Sequence, residues 1–354
     1  MPHARPSGWV RLANLLLLAV GIAALVWMAR KVGLDQLADL LSSIRGWAIP
    51  LLLVSLAGVA LDAGAIHVFM RPEQRMVGYW RVFAAQMSGQ AINSVTPTGT
   101  LGEVVKATLL MGHAPRFRAV SSVVAFNLVN VIVSAVFVLL GIGVALWLPN
   151  LDPAMEHAMR IGVLVLALVS IAVVALVRSG VVRASARAAH VLRFISDERR
   201  ARVAERLEAF DRQLRALGRG GPASYRPGIG LVLASRILGW VDLWLIMIAL
   251  GHVAGLVFTV VAAAAGVVIG RLASVVPLGV GASEGGQAGL FHLLGTGAEL
   301  GLAVSLVRRI RTVVMAALGL LVMLLVQLVD QIRFSRARSH LVDRAHDRDP
   351  GQTG

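Results

Sequence analysis

The chain has 354 residues, of which 57% are apolar and only 15% are charged, and its mean hydropathy is +0.77. A soluble domain typically carries about 25% charged residues. The apolar residues here fall in blocks of about 20, the length that a helix needs to cross about 30 Å of hydrocarbon, and they lack the period-two alternation of a transmembrane barrel. This composition excludes a soluble enzyme and predicts an all-α polytopic integral membrane protein with about six to nine transmembrane helices.

The net charge of +15 comes almost wholly from arginine, since Lys31 and Lys106 are the only lysines. A pI near 11.7 is also typical of nucleic-acid-binding proteins. In a membrane protein, however, basic residues collect in the cytoplasmic loops, so we expect no nucleic-acid partner. The chain has no cysteine, its histidines form no HxxH or HExxH pattern, and it has no P-loop or dinucleotide fingerprint. We therefore expect no metal ion and no cofactor.

The first apolar block, within residues 9–29, is predicted to be a retained span. It is longer than a signal-peptide core and is followed by Arg30 and Lys31 rather than by a small-residue cleavage site. Segment 33–45 is short and amphipathic, which is typical of a helix on the membrane surface. Further full spans are predicted near residues 46–70, 119–148, 159–177 and 228–251, with a last span ending near Ile332. Aromatic residues lie at span ends, as an interfacial belt would place them: Trp9, Trp47, Tyr79, Trp80 and Trp147.

The charge of the loops predicts the orientation. Segment 178–226 holds twelve arginines against five acids and is predicted to be a basic cytoplasmic insertion, whereas loop 149–158 has no Lys or Arg and is placed outside. Both termini then lie in the cytoplasm, although segment 30–45 puts three basic residues outside. We expect residues 1–335 to form one transmembrane domain and residues 336–354 to form a disordered basic tail.

Two segments, 82–111 and 257–294, are broken midway by proline and glycine. Such breaks persist at membrane depth only when they are buried in protein or line a cavity. The two breaks also resemble each other, because SVTPTG at 94–99 matches SVVPLG at 274–279, and a Glu follows each. Paired breaks half a chain apart are typical of a transporter with two related halves, whose site lies where the broken helices meet. The structural breaks are assigned to Pro97 and Pro277.

A half-helix is expected to begin near each of these glutamates, and its N-terminus suits an anion. Two interpretations of Glu103 and Glu284 stay open. Together with Asp62 they are candidate gate or proton-carrying residues, or the two glutamates simply cap helices and pair locally. The candidate substrate-binding residues are Lys106, Arg271, Arg308, Gly99, Gly102, Gly279 and Gly281.

The charged residues inside apolar runs should face protein or water, because each costs at least about 2.5–3.5 kcal/mol at a helix centre. Lys106 is predicted to pair with Glu103, three residues away on the same helix face. Arg236 and Asp242 lie on different faces and need partners elsewhere. The arginines within 308–311 are either embedded in a span or mark a loop between two shorter spans. The polar stripe of Gln86, Gln90 and Asn93, like Asn127 with Asn130, is either helix–helix contact or substrate path.

At the two breaks the chain resembles the lysylphosphatidylglycerol synthase transmembrane family, also called flippase-like domain proteins. Pro97 followed by GEVVK at 102–106 is similar to that family's P…GE-x-x-(R/K) signature. PLGVGASE at 277–284 is similar to its P-G-G-x-G-x-x-E signature, with Leu278 replacing the first Gly, and the arginines at 308–311 fall where the family has a membrane-embedded Arg. The resemblance covers residues 10–335, and the segment 96–103 is most similar to members associated with hopanoid biosynthesis.

This resemblance implies a flippase-like domain that moves a polar or anionic phospholipid between the leaflets of a bacterial inner membrane, with membrane lipids as its partners. Full-length synthases of the family add a soluble acyltransferase domain. Only about 20 polar residues follow the last span here, too few for a folded domain, so we expect no enzyme activity. Two other functions stay open: an integral-membrane lipid-modifying transferase, and a non-catalytic scaffold of a lipid-biosynthesis complex.

Overall fold

The computed structural model describes residues 46–96, 101–145, 222–273 and 281–346, and all the regular structure in these ranges is helical. The predicted all-α membrane fold is therefore confirmed for this part of the chain. Four of its helices are long and apolar enough to cross a membrane. Several predictions concern residues outside the described ranges: the spans at 9–29 and 159–177, the surface segment 33–45, the loop 149–158, and most of the insertion 178–226.

The first half of the described chain consists of two long helices with a hairpin of shorter helices between them. Helix α1 spans Ala48–Phe69 and is followed by a 3-10 turn at Glu73–Met76. The hairpin is formed by α2 (Tyr79–Val95) and α3 (Leu101–Met111), and α4 (Arg116–Ala145) completes the half. The predicted broken segment 82–111 is thus two helices separated by the Pro97 region, because proline cannot continue a helix.

The second half repeats this order. Helix α5 spans Pro222–Ala249, a hairpin follows with α6 at Leu256–Ala273 and α7 at Ala282–Leu293, and α8 spans Ala298–His346. Gly281 immediately precedes α7 with φ of 82°, in the left-handed region that glycine adopts without strain. The predicted broken segment 257–294 is therefore also a helical hairpin rather than one full span.

The two hairpins enter the bundle from opposite ends. Arg81 near the start of α2 contacts His113 just after α3, so the first hairpin is open at the end where Phe69 of α1 contacts Tyr225 of α5. In the second hairpin, Phe258 of α6 contacts Phe291 of α7. These two rings pack in one cluster with Leu51, Ile246 and Met247, which lie near the start of α1 and the end of α5. The paired sequence breaks predicted two related halves, and the structure shows that these halves are related as an inverted repeat.

Small residues bring the two halves into close contact, in the same way on both sides. Gly141 of α4 packs against Ala264 of α6, and Gly319 of α8 packs against the Met87 carbonyl and Ala91 of α2. In each case the last long helix of one half crosses the first hairpin helix of the other half. Interfaces between membrane helices use small residues because they let the backbones approach.

Helix boundaries differ from the sequence predictions in three places. Helix α5 begins at Pro222, six residues before the predicted start, because proline is accepted in the first turn of a helix. Helix α8 passes without interruption through residues 308–311, so the alternative of a loop between two shorter spans is wrong. The same helix continues to His346, whereas residues 336–346 were predicted to be a disordered tail. No proline or glycine interrupts the sequence between Gly319 and Pro350, so the helix has no local reason to stop earlier.

Candidate functional site

The carboxylate of Glu103, in the first turn of α3, accepts hydrogen bonds from three side chains. Asn93 of α2 donates its Nδ2 to Oε1 at 2.9 Å, Lys106 donates its Nζ to the same oxygen at 2.8 Å, and Asn127 of α4 donates its Nδ2 to Oε2 at 2.6 Å. Three helices thus converge on one acid. The predicted Lys106–Glu103 pair is confirmed, and the amides of the polar stripe act here as contacts between helices.

Glycines allow α2 and α3 to approach closely enough for this network. A methyl group on Gly102 would lie 1.9 Å from the Gly89 carbonyl oxygen, and one on Gly89 would lie 2.3 Å from Cγ of Lys106. The Gly102 N–H, which has no intrahelical partner in the first turn, donates to Asn93 Oδ1 at 2.6 Å. Gly102 therefore serves close packing and helix capping in this structure.

Lys106 is buried with only 3% of its surface exposed. Its stem lies over Gly89, and its ammonium is 5.6 Å from the centre of the Phe126 ring, within cation–π range. Near it, Asp62 of α1 pairs with Arg236 of α5 at 3.8 Å. This group of Asp62, Glu103, Lys106 and Arg236 contains two acids and two bases, so its charge is balanced within the protein.

Glu284, in the first turn of α7, occupies the position in the second half that Glu103 has in the first. Its Oε2 accepts the backbone N–H of Gly281 at 2.8 Å and the hydroxyl of Ser283 at 2.9 Å, while its Oε1 accepts from Nη1 of Arg309 on α8. The acid thus caps its own helix and pairs with an arginine across the helix interface. The capping role that the sequence left open for this residue is present, and its charged partner lies on another helix rather than nearby in the sequence.

The arginines at 308–311 differ in their partners. Arg309 pairs with Glu284, and Arg311 pairs with Asp242 of α5. The Arg308 guanidinium forms no hydrogen bond or ion pair with any residue in the described ranges, although Asp242, the partner of Arg311, also attracts it. The second-half group of Asp242, Glu284, Arg308, Arg309 and Arg311 therefore carries one positive charge in excess. An unpaired cation at membrane depth costs several kcal/mol and is rarely kept without a function.

The inner ends of the two hairpins lie at similar depth along α8. Glu284 contacts Arg309, and Val105, two residues after Glu103, belongs to the same apolar cluster as Ala316. Positions 309 and 316 are two turns apart, about 10 Å along the helix axis, and both lie near the middle of the apolar stretch Ala298–Val329. The charged residues of both hairpins are therefore held close to the centre of the bundle.

This arrangement has two short helical hairpins with glycine-flanked glutamates at their inner ends and arginines on the last long helix. The family model described as the lysylphosphatidylglycerol synthase TM region matches residues 14–319. The chain belongs to this family. The match covers both hairpins and most of the apolar part of α8, and every charged residue described above lies within the matched residues. Neither a curated protein nor a solved structure matches the chain.

For this member of the lysylphosphatidylglycerol synthase transmembrane family, the structure brings together some of the predicted site residues. Lys106 contacts Glu103 and Gly102 packs beside them, while Gly281 contacts Glu284. Arg271 is exposed near the end of α6 and is not without an interaction partner. Pro97, Gly99, Pro277 and Gly279 lie outside the described residues. Within the described residues no three His, Asp or Glu side chains come together as metal ligands.

Several residues of the site were not selected from the sequence. Gly89 and Gln287 received no role, and Arg309 was not distinguished from its neighbours. A spacing signal was nevertheless present: Asn127 lies 24 residues after Glu103, and Arg308 lies 24 residues after Glu284. The offset points to the right helices, but the residue that contacts Glu284 is Arg309, one position further along α8.

Proposed function

We propose that this protein moves a polar or anionic phospholipid between the leaflets of a membrane. The observation that carries the proposal is the inverted pair of broken hairpins, whose glutamates lie at similar depth against the last long helix. Inverted repeats with discontinuous helices are the usual construction of membrane transporters, and their substrates bind at the repeat interface. The family's membrane-domain description supports a role connected with lipids. The hopanoid association stays a prediction.

The charge of the second-half group favours an anionic headgroup. Asp242 and Glu284 supply two negative charges against the three arginines Arg308, Arg309 and Arg311, so one positive charge is left over. A lipid phosphate entering between the hairpins would supply the missing negative charge. The first-half group is neutral without a ligand, so we assign headgroup contact to the second half and a gating or structural role to Glu103 and Asp62.

The orientation that we propose follows from the basic residues at one end of the bundle. This basic end, where α1 ends and α2 and α5 begin, carries Arg71, Arg75, Arg81, Arg116, Arg118 and Arg226. At the opposite end, the turns 250–255 and 294–297 contain no Lys or Arg. The positive-inside rule then puts the basic end on the cytoplasmic side of a bacterial inner membrane. Both termini and segment 178–226 lie on that side in this proposal.

We favour transport over the two alternative functions, a lipid-modifying transferase and a scaffold. A transferase would need a histidine beside the intramembrane acids, but His67 contacts backbone carbonyls of residues 74 and 77, and His113 contacts Arg81 at the basic end. A scaffold would have no need for the excess charge of Arg308. We therefore expect no catalysis of a covalent reaction by this chain.

The test is lipid movement in proteoliposomes that contain headgroup-labelled phosphatidylglycerol or phosphatidylcholine, measured by the accessibility of the label to an impermeant quencher. We expect wild type to equilibrate the anionic lipid faster than protein-free vesicles. Glu284→Gln leaves Arg309 without a charged partner and should slow this strongly at unchanged expression. Glu73→Gln, at the basic end, is the matched control and should behave like wild type.

Two outcomes would contradict this proposal. If wild type moves none of a panel of anionic and neutral lipids, the scaffold becomes the better interpretation. If wild type and Glu284→Gln move lipid equally, Glu284 only caps its helix, for which a glutamine oxygen suffices at a cost of about 1 kcal/mol.

A further inference from the structure

Two nitrogen donors border a small space beside the backbone of Gly266 on α6. A methyl group on Gly266 would lie 3.2 Å from Nε2 of Gln287 on α7 and 3.4 Å from Nη1 of Arg308 on α8. The space is thus lined from three helices, and glycine is the residue that leaves it open. Gly266 itself is half-buried.

The donors around this space are not used within the described part of the protein. Gln287 is only 5% exposed, and neither its donor Nε2 nor its acceptor Oε1 has a hydrogen-bond partner among the described residues. The Arg308 guanidinium has no hydrogen bond or ion pair with the described residues, although Asp242 attracts it and Arg309 and Arg311 on the same helix are both paired with acids. Buried polar groups in folded proteins are nearly always satisfied, so two unsatisfied side chains at one point indicate a ligand.

The first half of the protein shows the same place filled. Lys106 stands three residues after Glu103 as Gln287 stands three residues after Glu284. The Lys106 stem lies against Gly89, and its ammonium pairs with Glu103. In the second half the equivalent residue, Gln287, is a neutral amide, and the positive charge is carried by Arg308 instead. In the first half, Lys106 fills the position beside Gly89, whereas in the second half the position beside Gly266 is left open.

We propose that the space over Gly266 binds one oxyanion, which accepts hydrogen bonds from the Gln287 amide and the Arg308 guanidinium. A phosphate or similar group fits this donor set, because a guanidinium presents a planar fork of N–H groups to such oxygens. The inference rests on the proposed lipid transport in one respect: transport makes a phospholipid headgroup the expected source of the anion. Free inorganic phosphate offers the same chemistry.

The test uses the purified full-length chain in a neutral detergent and measures apparent affinity from the ligand-induced rise in unfolding temperature. Three probes are compared: phosphatidylglycerol, diacylglycerol with the same acyl chains, and inorganic phosphate. Gly266→Ala fills the space without changing any charge, and Arg308→Gln removes the charge. Gly270→Ala is the matched control, since it lies one turn further along α6 and its added methyl would meet no atom within 4 Å.

We expect a phosphate-bearing probe to raise the unfolding temperature of wild type and Gly270→Ala, and diacylglycerol to leave it unchanged. Gly266→Ala and Arg308→Gln should each weaken that binding about tenfold or more, the usual effect of losing a charge-assisted hydrogen bond. A response to phosphatidylglycerol alone assigns the anion to a lipid headgroup, and a response to inorganic phosphate as well assigns the site to oxyanions in general. Both responses support the site.

Undiminished binding in Gly266→Ala, or equal binding of diacylglycerol and the phosphate probes by wild type, overturns the site. In that case Gln287 and Arg308 satisfy each other directly. The outcome for transport is separate. Anion binding that depends on Gly266, in a wild type that moves no lipid, keeps the site and refutes transport. If wild type moves lipid but Gly266→Ala binds the anion as well as wild type does, transport is supported and the site is refuted.

Discussion

Replacing Glu103 with glutamine tests whether the first-half network is a structural ion pair. The change keeps the shape of the side chain and one acceptor oxygen, but it removes the charge that neutralises Lys106. That ammonium has a side-chain exposure of only 4% and lies 2.8 Å from the carboxylate. Water has little access to it, so the stranded charge cannot be hydrated without opening the bundle.

The expected destabilisation is about 3–5 kcal/mol, the usual cost of removing one partner from a buried ion pair. Lys106→Met keeps the length of the stem that packs over Gly89 and against Phe126. Alone, it leaves Glu103 hydrogen-bonded to Asn93 and Asn127, so we expect a smaller loss of about 1–3 kcal/mol. In the double variant neither residue carries a charge, so no unpaired charge is buried. Its free energy of unfolding should recover to within about 2 kcal/mol of the wild-type value.

The assay is a double-mutant cycle on protein purified in detergent, with unfolding followed by helical circular dichroism during heating or addition of SDS. A matched cycle uses the Arg118–Glu73 pair, which has an N–O distance of 2.7 Å but lies at the basic end of the bundle. Water reaches Arg118, whose side chain is 14% exposed, more readily than Lys106 at 4%, so we expect a coupling energy smaller than that of the Lys106–Glu103 pair.

Additive effects of Glu103→Gln and Lys106→Met would refute this reasoning, because they would mean that the two side chains do not depend on each other. A double variant that is stable but no longer moves lipid would separate folding from transport. In that event Glu103 has a gating or proton-carrying role in addition to its structural one.

The remaining predictions concern packing and orientation. Gly102→Ala should destabilise the protein by about 1–3 kcal/mol, because its methyl group would lie 1.9 Å from the Gly89 carbonyl oxygen. Gly143→Ala, whose methyl would meet no atom within 4 Å, is the control and should be neutral or stabilising in the same unfolding assay; equal effects of the two changes would remove the close-packing role of Gly102. A cysteine at Ser185, in a chain that otherwise has none, should react with an impermeant maleimide only after the cells are permeabilised. Labelling in intact cells would reverse the proposed orientation.

The sequence alone determined the features that depend on local composition. The hydropathy of the spans at 46–70 and 119–148 predicted α1 and α4 to within about three residues, which is the usual precision for helix ends. Proline and glycine predicted the breaks inside 82–111 and 257–294, because these residues act on the chain wherever it folds. The Lys106–Glu103 pair was also predictable, since its two residues share one face of one helix.

Only the tertiary structure determined which distant charges meet. Asp62 pairs with Arg236, Asp242 pairs with Arg311, and Glu284 pairs with Arg309. The sequence showed that Arg236 and Asp242 needed partners on other helices, but it could not choose them, because any acid at similar depth satisfies the same electrostatic requirement. The packing of α1 on α5 and of α5 and α7 on α8 makes that choice. The same packing places the Arg308 guanidinium beside Gly266 with no hydrogen bond to the described residues, because that position depends on where three separate helices cross.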